Sequence, residues 1–223
     1  MQTNDLFPPR KKITRKSIIS VVLVWLFILL SIISLIIGYE DLFLGIFLII
    51  QFLGIGLIIW NSDKKKKLLL ALFITFSLGM FFEYIAINYT TIFGEYEYGE
   101  GMGLKFFGVP VMIGINWSSL TYCTAAISEK ISNNKIVTSI LGAILFVALD
   151  IVVEATAQWF DLWENFNYNQ PILEHIAWFI VSFIAHFLFM KVVKLFNYTI
   201  AFHLFTSVFV LQIVLIYFTN TIL

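Results

Sequence analysis

Three carboxylates of this chain sit where carboxylates are costly. Glu83 lies in Gly79-Met80-Phe81-Phe82-Glu83-Tyr84-Ile85, and Asp150 and Glu154 lie in Val147-Ala148-Leu149-Asp150-Ile151-Val152-Val153-Glu154. The four-residue spacing of Asp150 and Glu154 puts both on one helix face, one turn apart. An ionisable group inside an apolar span is a functional-site hypothesis by default, and neither run contains a Lys or Arg to neutralise its acids. Carboxylic acids crowded in dry surroundings hold protons that water would remove. A protonated acid in an apolar pocket is a donor suited to general acid catalysis. Two other roles stay open for the same residues. They can pair with Asn, Tyr or Trp groups to tie helices together, or relay protons in a transporter.

The remaining chemistry-bearing residues are less pointed. His186 and His203 lie inside apolar runs and His175 at the start of one; each reads as a hydrogen-bonded helix residue before it reads as a catalyst. No Glu-x-x-His or His-x-x-x-His pair occurs, so no metal site is expected. The single Cys123, in Tyr122-Cys123-Thr124-Ala125-Ala126, reads as a small packing residue. Gly54-x-Gly56 reads as a close approach between helices.

The elements that must carry these residues follow from the solvent. The chain is 60% hydrophobic and 13% charged over 223 residues, against roughly 45–50% and about 25% in a soluble domain. The implied class is an all-α, polytopic transmembrane bundle. About seven spans are expected, near 17–37, 42–60, 68–90, 110–128, 136–158, 175–193 and 198–219, each near the roughly 20 apolar residues a crossing needs. Residues 17–223 then form one membrane domain behind a basic tail, 1–16. The first span is too long for a signal-peptide core and reads as retained. The formal net charge is zero, so no attraction to nucleic acid is implied. Thirteen of the fourteen Lys and Arg fall in the tail and alternate connections, at 10–16, 64–67, 130–135 and 191–194, with Lys105 alone opposite. The positive-inside rule then predicts a cytoplasmic N-terminus, an external C-terminus and a multi-pass protein of the cell (inner) membrane.

The opposite side is acidic, with Glu40, Asp41, Glu95, Glu97, Glu100, Asp161, Glu164 and Glu174. Its two long connections, near 91–109 and 159–174, read as loops, the first rich in Gly and Tyr and the second aromatic. At about 1.5 Å per helical residue, Glu83 lies about 22 Å and Asp150 about 21 Å from the basic edge. Asn116 lies about 9 Å below the acidic edge. In a core about 30 Å thick, the three converge on one level.

The loops and their flanks carry a pattern of their own. It consists of Glu83-Tyr84, Phe93-Gly94-x-Tyr96-x-Tyr98, Gly101, Leu104, Gly108-Val109-Pro110 and Asn116-Trp117. A second block holds Asp150-x-x-x-Glu154, Phe160-Asp161-x-Trp163, Pro171 and Trp178-Phe179. Over roughly residues 80–180 this resembles the membrane-bound carotenoid biosynthesis family, which includes carotenoid 1,2-hydratases such as bisanhydrobacterioruberin hydratase. The chain departs from many relatives at Ala155, where they have proline, and at Glu174-His175, where they have Asn-Tyr.

The resemblance implies a cofactor-independent hydratase (lyase) acting on the terminal 1,2 double bond of an acyclic carotenoid end. Asp150 or Glu83 would be the acid, and Glu154 would orient water. Tyr96, Tyr98, Trp117 and Trp163 would face the cation, with Asn116 and Asp161 also in the substrate site. The expected partners are a lipid-soluble carotenoid, membrane lipids and other carotenoid pathway enzymes. Ring closure by the same protonation remains the nearest chemical alternative, and a proton-coupled transporter the nearest of another class.

Overall fold

The computed structural model describes residues 14–89, 93, 95–167, 171–194 and 196–221. Within them run seven helices: α1 (Arg15–Ile36), α2 (Glu40–Trp60), α3 (Lys65–Asn88), α4 (Val111–Ser128), α5 (Lys135–Ala157), α6 (Pro171–Val192) and α7 (Tyr198–Thr221). Most of the basic tail lies outside the described residues. Four short strands, β1 (Glu95–Tyr98), β2 (Lys105–Phe106), β3 (Val109–Pro110) and β4 (Trp163–Asn167), occupy the two connections that the sequence reads as loops.

The helices are built inside out relative to those of a soluble protein. In α1 the inward residues include Ser17, Ser20, Ser31 and Ser34, while Ile18, Val22, Leu26, Leu29 and Ile33 face outward. Lipid is as apolar as leucine, so helices associate through small residues and polar links, leaving the large side chains to the bilayer. Six helices are long and apolar enough to cross a membrane, and only about 33–39% of the most apolar stretch of each is buried by protein. The exception is α4, in which twelve of eighteen residues are buried. It contacts α2, α3, α5, α6 and α7. A helix surrounded by protein need not be apolar all round, so α4 carries Asn116, Ser118, Ser119, Thr121 and Thr124. Ser118, for example, donates to the Leu72 carbonyl of α3 at 2.8 Å.

Missing side chains set the closest approaches. A Cβ on Gly79 of α3 would stand 2.4 Å from Trp117 Cγ of α4, and one on Gly114 would stand 2.6 Å from the Phe76 ring. A Cβ on Gly142 of α5 would meet the His186 ring of α6 at 2.3 Å. At the lysine-rich end, Asn61 donates to Ser20 Oγ at 2.7 Å and accepts from Ser17 Oγ at 3.3 Å. Asn197 donates from its side chain to Ser17 Oγ and from its backbone to Tyr122 Oη. These bonds join α1, the end of α2, the start of α7 and α4.

The opposite end is closed by two ribbons. Strand β1 pairs antiparallel with β4, placing Tyr96 opposite Asn165 and Tyr98 opposite Trp163. Strands β2 and β3 form a hairpin through Phe107 and Gly108, whose φ values of 52° and 84° suit a two-residue turn.

Candidate functional site

Strand β1 reads Glu-Tyr-Glu-Tyr, and a strand sends alternate side chains to opposite faces. Glu95 and Glu97 are exposed, while Tyr96 and Tyr98 are buried against the bundle. Both phenols reach Glu83. Tyr96 Oη and Tyr98 Oη each donate to Glu83 Oε2 at 2.7 Å, and Trp117 Nε1 donates to Oε1 at 2.9 Å. The Gly79 gap lets the indole of α4 lie close enough to α3 to make that bond. Burial pushes both phenols well above their ordinary value, and the charge of Glu83 pushes them further. They therefore stay protonated and act as donors, leaving Glu83 a fixed acceptor.

Glu83 forms one wall of a chamber lying between α2, α4, α5 and α7, under the β1–β4 ribbon. The free volume is about 140 Å³. Asp150 and Glu154 of α5 line it, as do Asn116, Trp117, Tyr96, Tyr98 and Trp163. Eight of the nine residues named from the sequence thus meet in one cavity, the three acids and Asn116 among them. Asp150 faces the space without a donor shell like that of Glu83 among the described residues. Among the described residues no Lys or Arg lines the chamber. The apolar remainder includes Phe47, Ile50, Phe146, Leu149 and Leu204. Trp117 packs on Phe146 at 4.5 Å and on Trp178 at 5.8 Å between ring centroids, so the aromatic wall is continuous.

The ninth residue, Asp161, is elsewhere. It does not line the chamber but adopts a left-handed backbone (φ 50°), and its Oδ2 accepts from the Glu100 backbone N–H at 2.8 Å. Gly99 and Gly101 pack against it so closely that a Cβ on either would stand within 2.4 Å of Asp161 or Phe160 atoms. Asp161 is a latch that holds the start of β4 against the end of β1. Its spacing from Trp163 follows from that job, and substrate contact is not needed to explain it.

Glu174 moves the other way. It belongs to the acidic side by sequence position, yet it is buried in the first turn of α6 and lines the chamber with His175. It becomes the fourth carboxylate of the site. No intramembrane position flagged it, because it stands at a span boundary. The amides Gln51 of α2 and Gln212 of α7 were also missed, since an amide in an apolar run carries no charge; both are buried and both line the chamber. His186 is not part of it. It is fully buried with Nε2 2.7 Å from Thr124 Oγ1 and Nδ1 2.7 Å from the Ser182 carbonyl, a structural link between α4 and α6. His203 Nδ1 accepts from Trp25 Nε1 at 3.1 Å and ties α7 to α1. Cys123 is buried and lines the deep end of the cavity.

The chamber thus combines four carboxyl groups, an aromatic wall and an apolar body. Compared with known protein families, the chain matches a family model described as "carotenoid biosynthesis protein" over residues 43–223. No curated protein and no solved structure matches the chain.

Proposed function

This chain belongs to the carotenoid biosynthesis protein family, and from that premise we propose that it adds water to the terminal 1,2 double bond of an acyclic carotenoid end group. The carrying observation is the chamber in which Glu83, Asp150, Glu154 and Glu174 meet with aromatic rings and, among the described residues, no Lys or Arg.

Asp150 gives its proton to C2 of the terminal trisubstituted alkene, and the alkene electron pair forms the new C–H bond. The positive charge then rests on C1, a tertiary carbon. Glu83, which accepts from three donors, faces that charge from a fixed position. The faces of Trp117, Trp163 and the two tyrosines add π-electron density around it. Water forms a C–O bond to C1 and loses one proton to Glu154, leaving a tertiary alcohol. The net change is addition of one water, with no electron transferred, so the reaction calls for no redox cofactor. The proton on Glu154 returns to Asp150 along the same helix face, one turn away.

A volume of about 140 Å³ corresponds to on the order of ten water-sized spaces. That suits the end of a polyene together with a water, while the rest of the polyene stays in lipid. Expression in a host that makes lycopene or γ-carotene tests the reading. The expected product carries the mass of one added water. Unmodified pigment rules the activity out, and a ring-closed product of unchanged mass assigns the same protonation to a cyclase.

A further inference from the structure

A chamber for a hydrocarbon has no need of neutral polar groups, and burying one without a partner is unfavourable. Yet the chamber lining carries them. Gln212 of α7 is 1% exposed and Gln51 of α2 is 9% exposed, and both border the cavity. Among the described residues the Gln212 amide is held at one end only, where its Oε1 accepts from Thr156 Oγ1 at 2.9 Å. An amide offers two acceptor sites and two donors, so the nitrogen end is left for the chamber. His175 also lines the chamber, and its buried Nδ1 has no hydrogen-bond partner among the described residues. Buried polar atoms are nearly always partnered by protein or ordered water. The free volume far exceeds the ~10–15 Å³ that one water requires, so the chamber is roomy and polar enough to hold water.

Level matters as well. Gln212 is fourteen residues into α7 and Asp150 fifteen into α5, which places each about 21–23 Å from the lysine-rich end at 1.5 Å per residue. Thr156, which grips the amide, is two residues past Glu154 on the same helix. The anchored carboxamide thus lies at about the depth of the acids, held against the helix that carries two of them.

We propose that Gln212 is the positioning residue for the reacting water, held in place by Thr156 so that the water lies between the end-group cation and Glu154. This deepens the hydratase reading and rests on it. Gln212 does not make the cation; it decides what captures it. Without an ordered water the cation loses a proton instead, from C2 or an adjacent methyl, and returns to an alkene.

Membranes holding the full-length protein are supplied with lycopene in deuterated water, and two quantities are read: alcohol formed, and deuterium retained in unhydrated carotenoid. The wild type should give alcohol. Gln212→Leu should lower the ratio of alcohol to deuterated alkene about three- to tenfold, the range expected for one neutral hydrogen bond, while total protonation persists. Thr156→Val should shift the ratio the same way by less, and serves if Gln212→Leu does not insert. Parallel loss of alcohol and deuterium in both variants makes these residues merely structural and overturns the proposal, as does an unchanged ratio. Absence of both signals in the wild type removes the hydratase reading itself, a distinguishable result.

Discussion

Glu83 receives hydrogen bonds from Tyr96, Tyr98 and Trp117 and has no acidic partner in that shell. Asp150 faces the chamber without such a shell among the described residues, and the proposed division of labour, Asp150 as acid and Glu83 as fixed acceptor, is testable. Asp150→Asn should reduce product by roughly 10²–10⁴-fold, the span of general acid catalysis, with normal insertion; pigment analysis of expressing cells checks it. Tyr96→Phe removes one bond to a charged acceptor and should lower stability by about 1.5–3 kcal/mol, read as a shift in the thermal transition in detergent. The phenols also set an alkaline limb. Burial raises both above the ordinary value of 10.0, so the unfolded chain releases these protons before the folded one does. Their contribution is complete below pH 10 and is lost as pH rises beyond it. Tyr98→Phe should therefore flatten the fall of stability above that pH, which thermal scans from neutral to strongly alkaline buffer would register.

Elements deliver these residues through two devices, only one of which announces itself in sequence. Apolar runs of about twenty residues reveal the helices because lipid tolerates little else. The ribbon is harder to see. Glu95-Tyr96-Glu97-Tyr98 alternates with period two, a strand signal, but its glycine-rich surroundings read as a loop and its partner β4 lies more than sixty residues on. The structural role of Asp161 was hidden for the same reason: the latch it makes with Gly99 and Gly101 exists only once the two connections are paired. Asp161→Ala should loosen the ribbon and misplace both tyrosines, costing activity while α3 and α5 stay intact. Faster backbone hydrogen exchange confined to residues 95–101 and 161–164 is the expected signature. At the α3–α4 contact, Gly79→Ala would force a Cβ into the Trp117 indole and should destabilise by about 1–3 kcal/mol, again visible in the thermal transition.

Across the whole molecule, the lysine-rich connections cluster at one end and the ribbons with their acids at the other, and toward the basic side Tyr122, Cys123, Ala126, Ile200, Ala201 and Leu204 pack into one apolar cluster. Charge and hydropathy made this layout legible because they respond to the bilayer. They could not reveal Glu174, Gln51 or Gln212, whose importance lies in which helices face each other. Six helices satisfy the length and apolarity of a span; α4 is less apolar because protein shields it.

Everything rests on acids from three helices sharing one dry space in which Asp150 supplies a proton and water completes the reaction. Purified protein in lipid, given lycopene in heavy-oxygen water, examines that claim most directly. The account predicts one heavy oxygen in a tertiary alcohol at the chain end, lost in Asp150→Asn. Labelled alcohol formed equally well by Asp150→Asn, or an alcohol whose oxygen does not come from the water, would contradict it.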